Sequence, residues 1–270
     1  MTPTPDKTAR ELLDFYLEAG ADACLGEAPV DRFALAVEPP APPARVPQPA
    51  APPPGFAIKG RAAAPAAPQA PDEAAMAARQ AAKSAKTLEE LRGILDKFDG
   101  CALKATASQL VFADGKPGAR VMFVGEAPGR DEDIEGLPFV GRSGKLLDRM
   151  LAAIGLDRTS VYIANIVPWR PPGNRTPTPQ ESQICLPFIL RQIELADPDV
   201  LVCLGGPSAQ TLLGVKDGIT KARGRWLSFN TGKREIRAMA TFHPAFLLRS
   251  PLQKRFVWRD FLAIKKALAP

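Results

Sequence analysis

Four short apolar runs decide most of what this chain can become: ARVMFVG (119–125), SVYIAN (160–165), DVLVCLG (199–205) and EIRAMATF (235–242). Apolar character that continues rather than alternates belongs to strands covered on both faces, as in a parallel sheet. Helices are expected between the runs, near 143–154, 178–197 and 206–213, with one ahead at 86–98 and one closing the chain at 251–267. The stretch from Thr178 to Glu181 carries its own start signal. Thr178 serves as cap, Pro179 takes the first helical position, and Glu181 completes a capping box. Alternating strands and helices predict a three-layer α/β/α sandwich around a short, mainly parallel, four-stranded sheet. Ligands bind such sheets at the carboxyl ends of the strands.

The beginning of the chain is of another kind. Prolines crowd residues 39–71, where they remove backbone donors and hold φ. A disordered Pro/Ala-rich linker over 39–80 is expected to join a leader (1–38), with one short helix at 7–19, to a folded domain over 81–270. The net charge of +6 suits a polyanionic partner without requiring one. No run of about eighteen apolar residues occurs, and the N-terminus lacks a secretory pattern. The four cysteines, Cys24, Cys101, Cys185 and Cys203, form no disulfide-like framework. A cytoplasmic, membrane-free protein with reduced or metal-bound thiols is expected.

The polar residues gather where the runs end. The first leads into Gly125-Glu126-Ala127-Pro128-Gly129, then Arg130-Asp131-Glu132-Asp133 and Gly136-Leu137-Pro138-Phe139-Val140-Gly141. A loop this rich in Gly and Pro lets backbone approach a ligand closely, although its first five residues also suit an ordinary turn. Phe139 offers a ring that can stack on a planar base. The second run ends at Asn165, either a turn residue or a carboxamide that reads a pyrimidine edge with one donor group and one acceptor. Arg170, Asn174 and Arg175, in the Pro/Gly loop that follows, suit phosphate contacts. The fourth run passes into Phe242-His243-Pro244-Ala245-Phe246-Leu247-Leu248-Arg249, and His243 is the only histidine in the chain.

In this order and spacing, these segments resemble the uracil-DNA glycosylase superfamily, most of all its family 4, over about residues 85–268. The resemblance implies DNA repair by hydrolysis of the N-glycosidic bond of a flipped-out uracil, leaving an abasic site. Glu126 is the first choice, and Glu132 the second, for a carboxylate that orients water and supports the sugar cation. His243 is expected to donate to uracil O2, where negative charge develops. Gly125, Ala127, Phe139 and Asn165 are expected to bind uracil, Phe139 by stacking and Asn165 through the N3 and O4 edge. Pro128, Gly129, Arg142, Ser143, Asn174, Arg175 and Arg249 are expected to contact DNA, with Leu247 or Leu248 wedged into the space the flipped nucleotide leaves.

Family 4 also implies a [4Fe–4S] cluster on four cysteines. Only Cys101 and Cys185 match ligand positions, while Phe98 and Trp169 stand at the other two. Thiolate ligation needs a closed donor set, so the expectation is an enzyme with no cofactor, its two rings packed into the space. A subgroup of the superfamily traps DNA through a histidine in the loop after the second strand. That loop, Pro168 to Arg175, has none here, so turnover is expected. The expected partner is uracil-containing DNA, met by a monomer, with the leader a candidate contact for a repair or replication protein. Two alternatives stay open: a glycosylase of wider range that takes hypoxanthine or xanthine, and a non-catalytic module that binds uracil or damaged bases. Nucleotide binding is weakly supported, because the glycine loop lacks a diphosphate-cradling pattern.

Overall fold

All four apolar runs form strands in the computed structural model, which describes residues 71–269. The expected leader helix and the linker ahead of residue 71 lie outside the described residues. One sheet runs in the order β1 (Asp114–Gly115), β3 (Tyr162–Asn165), β2 (Val121–Gly125), β4 (Val200–Leu204), β6 (Glu235–Thr241), β5 (Trp226–Asn230). The four expected strands pair in parallel, and β1 and β5 add antiparallel edges. The sheet therefore has six strands and not four. The two edges escaped the reading because β1 is two residues long and β5 is only partly buried, with no continuous apolar run.

Successive side chains on a strand point to opposite faces, so the fully apolar runs feed two cores. Met122, Val124, Leu201, Cys203, Ala238 and Ala240 belong to one; Val121, Phe123, Val200, Val202, Leu204 and Met239 belong to the other. The first face is covered by α1 (Pro71–Ser84), α2 (Leu88–Lys97), α5 (Pro179–Ala196) and α6 (Gly206–Leu213). The second is covered by α4 (Arg142–Ala153), α8 (Pro244–Arg249) and α9 (Lys254–Leu268). Two short helices, α3 (Arg130–Glu135) and α7 (Ile219–Ala222), lie in the connections. Each large apolar side chain buried in these cores contributes about 2 kcal/mol, which makes the two-sided packing the main determinant of the architecture.

The capping box at the start of α5 forms as its residues require. Thr178 Oγ1 accepts the N–H of Glu181 at 3.2 Å, and the Glu181 carboxylate accepts the N–H of Thr178 at 2.7 Å. Helix α1 differs from expectation, because it occupies residues assigned to the linker. Proline is compatible with a first helical turn, and Ala74, Ala78 and Ala82 form a stripe four residues apart that is at most 2 % exposed. That stripe packs α1 onto α5, so the folded unit begins by Pro71 and not at 81. No helix among the described residues is long and apolar enough to cross a membrane.

Candidate active site

Strand register brings the site together. Gly125 pairs with Asn165 across β2 and β3, and Leu204 pairs with Thr241, two residues before His243, across β4 and β6. The carboxyl ends of the parallel strands open into a cavity of about 690 Å³ bordered by Glu126, Phe139, Asn165, His243 and Arg249.

Asn165 is 4 % exposed, and its buried Oδ1 has no hydrogen-bond partner among the described residues. An unpaired buried acceptor costs on the order of 1–3 kcal/mol, so this atom is held ready for a donor. Gly125 makes the arrangement possible: a Cβ there would lie 2.4 Å from Asn165 Oδ1 and 2.7 Å from Phe139 Cζ. The Phe139 ring lies 5.4 Å from the His243 imidazole, at an interplanar angle of 30°.

His243 caps α8. Its Nδ1 accepts the N–H of Ala245 at 3.1 Å, which leaves the proton of a neutral ring on Nε2. Burial, and secondarily the charge of Arg249, hold its pKa down at about 4. At neutral pH the residue is therefore an uncharged donor. Glu126 is half-buried, and burial alone raises its carboxyl above the ordinary range. That setting favours a proton acceptor more than a permanently charged surface group.

Glu132, the second choice for the water-orienting carboxylate, is held by the backbone. It is 7 % exposed, and its two oxygens accept the N–H groups of Gly129 at 3.1 Å and Gly141 at 3.0 Å. The carboxylate thereby ties together the two ends of the glycine-rich loop. Both carboxylates border the cavity, but the oxygens of Glu132 are engaged by these backbone donors and no such bond holds Glu126 among the described residues.

Ala127, Pro128, Gly129, Ser143, Asn174 and Arg175 border the same cavity, and Arg142 and Leu248 border an adjoining groove. Two expectations change. Arg175 forks onto Glu181 with contacts of 2.8 and 2.6 Å, so its charge is already engaged at the start of α5. Leu247 is 1 % exposed and belongs to the core, whereas Leu248 is 39 % exposed. Helix α8 turns one leucine inward, which leaves Leu248 as the wedge candidate. A buried network was not foreseen: the Thr241 hydroxyl and the Arg223 Nε both donate to Asp260, at 2.6 and 3.0 Å. It steadies the strand end that carries His243, and no local sequence signal marks it.

The three-layer α/β fold thus brings a neutral imidazole donor and an unpaired carboxamide together at one sheet edge. The match of the uracil DNA glycosylase superfamily to residues 112–262 is more specific, and the chain belongs to that superfamily. It is 42 % identical to the type-4 uracil-DNA glycosylase of Archaeoglobus fulgidus over 168 residues, 61 % of this chain and 84 % of the relative. The type-4 enzyme of Thermotoga maritima is 44 % identical over 167 residues, 60 % of this chain and 85 % of the relative. That of Saccharolobus solfataricus is 40 % identical over 178 residues, 64 % and 82 % respectively.

These relatives correct the expectation of a cofactor-free enzyme, because type 4 is the family whose members carry an iron–sulfur cluster. The donor set shows where the tension lies. Cys101 and Cys185 are buried together with their sulfurs 3.9 Å apart, in the same core as Trp169. Phe98 packs edge-on against Phe188 at 5.0 Å. Two thiolates do not complete a four-thiolate shell, and Cys203 lies in β4, where burial pushes its thiol up. The described residues thus fit half of the family's cluster site, and no chemical step below passes through a cluster.

Proposed function

We propose that this protein hydrolyses the N-glycosidic bond of uracil in DNA, releasing free uracil and leaving an abasic site. One observation carries the reading: a buried Asn165 carboxamide with an unpartnered Oδ1 borders the same cavity as a neutral His243. Uracil supplies what that acceptor lacks. Its N3–H donates to Oδ1 and its O4 accepts from Nδ2, whereas cytosine reverses both groups and leaves them opposed.

In the transition state the sugar gains oxocarbenium character and the departing base gains negative charge. The Nε2–H of His243 donates to O2, where that charge develops, with no proton transfer needed. Glu126 orients the attacking water, accepts its proton and supports the sugar cation. Phe139 stacks on the base, Leu248 enters the gap in the duplex, and the loop from Ala127 to Gly129, with Arg142, Ser143, Asn174 and Arg249, contacts the backbone. Arg175 contributes by holding the start of α5. In this reading the chain acts as a monomer, and residues ahead of 71 serve tethering or partner contact rather than chemistry.

The test uses a duplex with a single uracil. Free uracil and an alkali-labile site are expected; tight binding with no release would favour a uracil-binding module. A panel with hypoxanthine and xanthine separates the wider-range reading, since Phe139 stacking tolerates many bases and both purines offer Asn165 the same adjacent N–H and C=O that uracil does.

A further inference from the structure

Phe139 has a backbone conformation that a phenylalanine seldom adopts, with φ at +56°. Left-handed backbone is disfavoured for residues with a Cβ and persists where surrounding structure holds it. Arg158, nineteen residues away in the turn between α4 and β3, supplies the hold. Its Nη1 donates to the carbonyl of Pro138 at 3.1 Å and its Nη2 to the carbonyl of Phe139. The guanidinium is itself anchored from two sides, by Asp148 at 2.8 Å and by Asp114 of the edge strand β1. The Phe139 carbonyl also lies where a side chain on Gly144 would sit, since a Cβ there would come 1.6 Å from it.

We propose that Arg158 is a positioning residue for base recognition: it locks the Phe139 backbone so that the ring stays between Gly125 and His243. The proposal rests on the reading of Phe139 as the base-stacking residue. Asp114 and Asp148 act as its anchors, which gives the two-residue strand β1 a role beyond closing the sheet. Arginine suits the task because its planar fork can bind two adjacent carbonyls and two carboxylates at once.

The test is a double-mutant cycle on the full chain with Arg158→Gln and Phe139→Ala, read in single-turnover rate on uracil DNA. Arg158→Gln is expected to lower the rate roughly 10- to 100-fold, the scale of an ångström-sized misplacement. It should weaken inhibition by free uracil and leave affinity for uracil-free duplex unchanged, a split that loss of stability alone would not produce. Arg158→Lys, which keeps one donor group and the charge, should recover part of the rate. In the Phe139→Ala background Arg158→Gln should add less than about twofold. A costly Phe139→Ala with a fully multiplicative Arg158→Gln overturns the positioning role and leaves the stacking role standing. A neutral Phe139→Ala overturns both. Should Arg158→Gln fail to fold, Asp148→Asn carries the test, with a smaller fall in rate expected and an unchanged rate overturning the proposal.

Discussion

Through its Nδ1, His243 accepts the backbone N–H of Ala245 at 3.1 Å. That bond fixes the tautomer, so the ring presents Nε2–H as a donor in its neutral form. His243→Asn keeps a side chain suited to capping α8 but removes the imidazole Nε2–H, and its shorter amide does not extend to that position. Its single-turnover rate is expected to fall about 10²- to 10³-fold, the scale of losing one preorganised donor. Affinity for uracil-free duplex should stay within about twofold.

The pH profile should report Glu126. Burial raises its carboxyl above the ordinary value of 4.5, and the ionised form is the one that activates water. The rate should therefore fall as pH drops, with a midpoint above 4.5. His243→Asn should retain this acid limb, because burial holds the His243 pKa down at about 4, whereas burial moves Glu126 upward. Glu126→Gln should lose on the order of 10³-fold in rate and lose the limb. A limb that survives in Glu126→Gln and vanishes in His243→Asn would reverse the two roles.

Stability has its own pH dependence. The folded-state pKa of His243 is about 4, against an ordinary 6.5. Between these values the unfolded chain binds a proton that the native state refuses, so stability falls as pH is lowered through this window. Above pH 6.5 this group adds no slope. Denaturation of the wild type and His243→Asn across that range should show the difference, a few kcal/mol at its largest.

Glu132 should behave as a clamp. Glu132→Gln sets an amide N–H against one of the two backbone donors, which should cost about 1–3 kcal/mol and several degrees of Tm. The rate should fall less than for Glu126→Gln, and the acid limb should keep its midpoint. Loss of the limb in Glu132→Gln with normal Tm would favour Glu132, the second choice, over Glu126 as the water-orienting carboxylate.

Much of this was legible in the sequence, for identifiable reasons. The four parallel strands were readable because two-sided burial demands unbroken apolar runs, and the α5 start because a capping box is local. Asn165 and His243 stood out because both directly follow or end such runs. The missing pieces depend on distant contacts. β1 exists through pairing with β3, and the inward turn of Leu247 follows from a short helix over Pro244–Arg249 that the sequence reading did not place. The engagement of Glu132 and of Arg175 depends on partners that their own positions do not reveal. The cofactor expectation weighed two substituted ligand positions, Phe98 and Trp169, and the relatives correct it.

The extent of the folded unit is testable by truncation. A chain beginning at Pro71 should keep the stability of the full chain, since α1 starts there and packs on α5. One beginning at residue 81 would lose the buried Ala74 and Ala78 and most of α1. It should be destabilised by about 2 kcal/mol, seen as a fall in Tm of several degrees. Equal Tm values would return the boundary to 81.

The most direct measurement is uracil release from a duplex carrying a single U·G mismatch, compared between the wild type and Asn165→Asp. The account predicts free uracil and an alkali-labile strand from the wild type. In Asn165→Asp, base preference should shift away from uracil while duplex affinity holds. Folded wild-type protein that leaves the strand intact would contradict the account, as would an Asn165→Asp variant with unchanged base preference.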